Sequence, residues 1–198
     1  MYWLIGINVL IFVAMRLLGQ EFSYNMTIIM SMIPVAVMHG WIWTFVTYMF
    51  MHGSVTHILF NMLGLFIFGV HVERQMGSLE FLLYYFVTGI LAGVLSFAVY
   101  VITGNYMVAL MGASGALFAV ELAFAVFFPN AIIYIWGILP LRAPIMVLGY
   151  TALELFFSLS GGRGNTAHLT HLAGFAFGWI YFLVRFGVSP WRRLMGRS

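Results

Sequence analysis

Gly112-Ala113-Ser114-Gly115 opens an apolar run, Ala116 to Phe128, that is interrupted only by Glu121. A serine between glycines at the head of such a run has two readings. Small residues at this spacing let membrane helices pack closely. They also clear the approach to a nucleophile and permit backbone angles that other residues avoid. Two further stretches bear on the choice: His57-Ile58-Leu59-Phe60-Asn61 upstream and His171 downstream, each inside an apolar segment of its own.

The solvent these segments call for is a bilayer. Of 198 residues 64% are hydrophobic and only 7% charged, with a mean hydropathy of +1.05. A soluble domain of this length has no use for so much apolar surface. Cysteine is absent, which removes disulfides and thiolate metal sites from consideration. The eight basic residues are all arginine, and the net charge of +3 is small and dispersed, which argues against a nucleic-acid surface. The first apolar segment has no basic leader and no small-residue cleavage site, so it is expected to stay in place as a helix.

Apolar runs of sufficient length predict an all-α, polytopic membrane protein of about six spans, one domain over residues 1–198. The expected spans are Tyr2 to Leu18, Val55 to Val70, Phe81 to Ile102, Ser114 to just before Pro129, Pro144 to Leu159 and Ala167 to Phe186. Gly19 to Gly40 is mixed in character and, with Trp41, Trp43 and Tyr48 nearby as anchors, reads as an interfacial first loop. Asn130 to Arg142 reads as a connection with aromatic and proline content and Ser160 to Asn165 as a glycine-rich turn. Six spans put both termini on one side. With the termini inside, the inner segments hold Arg74, Arg142, Arg185, Arg192, Arg193 and Arg197, and the outer ones only Arg16 and Arg163. That asymmetry favours cytoplasmic termini. The short fourth span leaves room above Ser114 for water, which hydrolysis inside a bilayer requires.

Ionisable and amide groups within spans are costly and therefore functional suspects: His57, Asn61, His71, Glu73, Glu121, Glu154, His168 and His171. His57 and Asn61 stand one helical turn apart on one face. Together they could donate two hydrogen bonds to one anionic target, as an oxyanion site requires, or simply tie helices together. Gly174 and Gly178 on the sixth span, and Gly115 and Ala119 on the fourth, form small-residue tracks that allow backbone approach. At 3.6 residues per turn His171 points within about 20° of Gly178, while His168 lies about 80° to 120° from the two glycines, so His171 is the histidine expected to meet Ser114. Glu121, seven residues after Ser114, sits about 10 Å deeper along the helix, too far to orient the imidazole. A structural role is expected for Glu121 and also for Glu154, with Glu73 and Arg74 anchoring a helix end.

His57-Ile-Leu-Phe-Asn61, Gly112-Ala-Ser114-Gly115 and Ala167-His-Leu-Thr-His171-Leu-Ala-Gly174-Phe-Ala-Phe-Gly178, flanked by Thr47-Tyr-Met-Phe-Met-His52-Gly and Glu73-Arg-Gln-Met-Gly77, resemble the rhomboid family of intramembrane serine proteases over about Trp41 to Gly187. The resemblance implies a Ser-His dyad without a catalytic acid. Ser114 would be the nucleophile and His171 the general base, with His57, Asn61 and the Ser114 N–H as oxyanion hole. It further implies single-span membrane proteins as substrates, no metal or organic cofactor, and, as the expected location, the bacterial inner (cell) membrane. One departure is Trp43-Thr44, where many relatives carry Trp-Arg. Two other classes stay open on residues alone. One is a transporter or channel using His39, His52, His57, His168 and His171 for protons or divalent metal, though inverted repeats are not evident. The other is a non-catalytic member that escorts membrane clients.

Overall fold

A computed structural model describes residues 1–135, 137–160 and 165–195, the last stretch beginning with backbone alone over 165–167. The expected glycine-rich turn beyond Ser160, with Arg163, and the tail residue Arg197 lie outside the described residues. The fold is mostly helical, in chain order α1 (Tyr2–Leu17), α2 (Gln20–Met30), α3 (Pro34–Met38), α4 (Thr44–Thr47), α5 (Val55–Met76), α6 (Ser78–Ile102), α7 (Ser114–Phe127), α8 (Ala143–Leu159), α9 (Asn165–Tyr181) and α10 (Pro190–Leu194). Among the described residues three helices are long and apolar enough to cross a bilayer: α5, α6 and the stretch His168–Phe186, in which α9 runs on through a π turn. α1, α7 and α8 are apolar but shorter, at 16, 14 and 17 residues. Each of the six lies where a span is expected.

Local chemistry sets several boundaries. Ser54 caps α5 by accepting the His57 backbone N–H at 3.1 Å. The helix continues past Val70, through a π turn at Leu65–Gly69, and stops at Gly77, whose φ of +85° ends the helical path. Pro144 occupies the first turn of α8, where a missing N–H costs nothing.

α7 is the centre of the molecule, with 11 of its 14 residues buried. Such all-round burial means that helices surround it, and α5, α6, α8 and α9 all pack against it. Between helices in lipid there is little hydrophobic drive, so close packing and hydrogen bonds have to hold them. Tyr84 donates its hydroxyl to Ala119 O at 2.6 Å, Tyr48 donates to Gly89 O at 2.7 Å, and Ser96 and Thr170 share a hydrogen bond at 2.7 Å. At the other end of α9, Arg185 forks onto both oxygens of Glu80, at 3.0 Å each, and Tyr181 donates to the same carboxylate.

The first loop is helical in pieces, α2 to α4. It is tied to the segment before α7 by paired backbone bonds between Met32 and Leu110. Trp43 donates its indole N–H to Ile29 O, and Thr47 its hydroxyl to Met30 O. Thr44 is fully buried and donates its hydroxyl to Trp41 O at 2.6 Å. Tyr48 is not an interfacial anchor. It is 1% exposed, and its hydroxyl is satisfied inside the bundle.

The connection from Asn130 to Arg142 holds a hairpin. Ile132–Ile135 (β1) and Leu139–Arg142 (β2) pair antiparallel, Ile132 opposite Arg142, around Gly137 at φ +72°. Ile-Ile-Tyr-Ile and Leu-Pro-Leu-Arg, four residues each, are too short to show a strand period in a chain that is apolar almost throughout.

Candidate active site

The site is assembled at the N-terminus of α7. Gly112 precedes Ser114 with φ +123°, and a Cβ there would lie 2.6 Å from His57 Nε2, so both backbone shape and space demand glycine. Its N–H donates to Tyr48 O at 2.9 Å, pinning the turn to the first loop. Ser114 then starts the helix, where a first-turn N–H has no intrahelical acceptor.

His171 comes from α9. Gly174 and Gly115 bring the two backbones so close that a Cβ on Gly174 would sit 2.7 Å from the Gly115 carbonyl carbon. A Cβ on Gly178 would meet Ala119 Cβ at 3.0 Å. The two expected small-residue tracks therefore face each other, and His171 Nε2 lies 2.8 Å from Ser114 Oγ. Phe118, one turn into α7, stacks on the His171 ring at 4.5 Å and 7°, which limits its rotation. Nothing in the sequence signals this contact, since Phe118 is one apolar residue among many.

His57 and Asn61 line the same opening as Ser114 and His171. The His57 ring borders Gly112, and His52, in the turn before α5, packs edge-on against it at 4.9 Å. Burial first, then the nearby His57, pushes the His52 pKa down to about 4, so that ring is neutral at neutral pH. Asn61 is buried, and its amide donates to His57 O at 3.0 Å. One of its two amide N–H groups is thereby engaged by its own helix, and the other is left for a target in the opening.

His168 does not reach Ser114. Its Nδ1 lies 2.5 Å from Glu154 Oε2, and Phe157 stacks on its ring. Glu154 is thus hydrogen-bonded, and it has a second neighbour. Read from sequence as a structural group, it sets Oε1 3.1 Å from His171 Nδ1. Glu121 is buried and lines the opening deeper on α7. His39 and His71 are elsewhere, each with Nδ1 2.8 Å from the carbonyl four residues back.

From Ser114 an apolar groove of about 790 Å³ runs between α5 and α8 toward the hairpin. Phe60 and Ile67 line one wall, Tyr150 and Phe157 the other, Leu117 the floor and Tyr134 the far end.

The rhomboid domain family model matches residues 39–188, a stretch that contains every residue of this site. The chain belongs to the rhomboid family. As a rhomboid domain built of apolar helices, it is an integral membrane protein. It is 30% identical to a putative rhomboid protease, YdcA, of Bacillus subtilis, with 71% of this chain and 67% of that protein covered. To the rhomboid protease GlpG of Haemophilus influenzae it is 33% identical, covering 70% and 69% respectively. To the mitochondrial RHOMBOID-like protein 12 of Arabidopsis thaliana it is 29% identical over 85% of this chain but 53% of that one. This rhomboid chain thus spans about half the length of the plant relative and about two thirds of the two bacterial ones.

Proposed function

We propose that the protein is an intramembrane serine endopeptidase that hydrolyses peptide bonds in or near the spanning segments of single-span membrane proteins. The observation that carries the reading is the 2.8 Å contact of His171 Nε2 with Ser114 Oγ at the head of a groove open to an apolar chain. His171 takes the hydroxyl proton as Ser114 Oγ attacks the scissile carbonyl carbon. The oxyanion that forms is met by the Ser114 N–H, by His57 and by the second amide N–H of Asn61. Collapse breaks the C–N bond, and His171 returns its proton to the leaving amine. Water, activated by the same imidazole, then cleaves the acyl ester and restores the serine.

The apolar groove supports a membrane segment as substrate, and a peptide bond must leave helical form to reach Ser114, so segments with glycine, proline or small polar residues near the cut suit it best. In this proposal α1, α5, α6, α7, α8 and α9 all serve as spans of one membrane domain over 1–198, with cytoplasmic termini favoured by the arginine asymmetry. The membrane proposed is the bacterial inner membrane, in keeping with the bacterial relatives, although the plant relative is named mitochondrial. Purified protein in detergent should label with a fluorophosphonate and cut a model single-span protein, and Ser114→Ala should do neither while unfolding at the wild-type temperature. Cleavage by Ser114→Ala at the wild-type rate would overturn the reading.

A further inference from the structure

The resemblance implies a base with no acid behind it, yet a carboxylate stands at the far nitrogen of that base. We infer that Glu154 is a positioning residue for His171, so that Ser114, His171 and Glu154 act as a relay drawn from α7, α9 and α8. The inference rests on the protease reading above.

Three contacts carry it. His171 Nε2 is 2.8 Å from Ser114 Oγ, and the opposite ring nitrogen, Nδ1, is 3.1 Å from Glu154 Oε1. A neutral imidazole has one N–H and one lone pair. With the proton held on Nδ1 by the carboxylate, the lone pair is left on Nε2, where the serine proton must go. The other carboxylate oxygen, Oε2, is held by His168 Nδ1 at 2.5 Å. Glu154 is therefore fixed at both oxygens, and His168, excluded from Ser114 by helix phase, gains a use as its anchor. Phe118 on His171 and Phe157 on His168 restrict both rings.

The Nδ1 to Oε1 separation is an ion-pair distance, but the N–H alignment falls short of a full hydrogen bond. Such bonds are often misaligned before substrate binds and tighten in the complex. Its charge is only partly desolvated, at 16% side-chain exposure, and two imidazoles offset that cost. During the reaction the proton from Ser114 goes to Nε2. The Nδ1 proton stays on the ring, and the ionised carboxylate stabilises the imidazolium until Nε2 protonates the leaving amine.

In soluble serine proteases the corresponding acid-to-amide change costs ~10⁴ in turnover. The looser alignment here points to a smaller loss, so Glu154→Gln should lower kcat and the fluorophosphonate labelling rate together, by about 10- to 100-fold. KM should stay within about twofold, and Glu154→Asp should keep more activity than Glu154→Gln. Proton NMR of labelled-histidine protein should show an imidazole N–H well downfield that disappears in His171→Ala and moves upfield in Glu154→Gln. With Ser114→Ala inactive in the same assay, an unchanged kcat in Glu154→Gln overturns the relay and leaves the protease reading standing. A loss confined to KM overturns it likewise. The donor atoms of Glu154, His168 and His171 lie within 4.8 Å of one another. Activity removed by EDTA and restored by a divalent cation would give these groups to a metal and overturn the relay. A wild-type protein that neither cuts nor labels removes both readings, whatever the NMR shows.

Discussion

Replacing Gly174 by alanine tests whether catalysis depends on the closeness of α7 and α9. A Cβ at position 174 would stand 2.7 Å from the Gly115 carbonyl carbon and 3.2 Å from its Cα. Carbon atoms settle at about 3.5–4.0 Å, and the Gly115 carbonyl oxygen lies closer still to that Cβ, so the helices must part by at least about 1 Å. The opposing atoms are backbone, and no side chain can swing aside to absorb the shift. Ser114 and His171 sit next to this contact, one on each helix, and their 2.8 Å hydrogen bond would stretch to about 3.8 Å, beyond hydrogen-bond range. A misplacement of about 1 Å costs ~10² in rate. Gly174→Ala should therefore slow fluorophosphonate labelling and peptide cleavage by at least about 100-fold. Overpacking of this kind costs ~1–3 kcal/mol, so the fold should survive with a lowered unfolding temperature. Gly149→Ala on α8, where a Cβ meets nothing within 4 Å, is the control and should label at the wild-type rate. Labelling of Gly174→Ala at the wild-type rate would refute the idea that this approach sets the catalytic geometry.

His57→Ala and Asn61→Ala should each depress kcat by ~10²–10³, the usual cost of one oxyanion donor, with KM little changed; losses confined to KM would contradict the role. His171→Ala should remove both labelling and cleavage, whereas His168→Ala, which loosens only the anchor of Glu154, should retain a measurable part of each; the reverse order would sink the assignment of the base. Tags on both termini should be protected on the cytoplasmic side in sealed vesicles, and a tag at Asn105 should lie on the opposite side; termini on opposite faces would remove one span from the proposed six.

Membrane class, the places of six apolar helices, the three polar motifs and the preference for His171 over His168 were all legible in the linear order of residues. Each rests on a local regularity: run length, a turn of separation between His57 and Asn61, or the phase of small residues around an axis. Other features depended on how helices are rotated against one another. In lipid both faces of a helix are apolar, so hydropathy does not distinguish the side of α8 that looks inward. That rotation decides whether Glu154 is a structural group or a neighbour of His171 Nδ1, and only the packing of α8 beside α7 and α9 settles the contact at 3.1 Å. The same degeneracy concealed the stacking of Phe118 on the imidazole, the burial of Tyr48 beneath the first loop and the Ile132–Arg142 hairpin. Glycine marks the exception, because a missing side chain is the one signal in an apolar helix that says another backbone comes close.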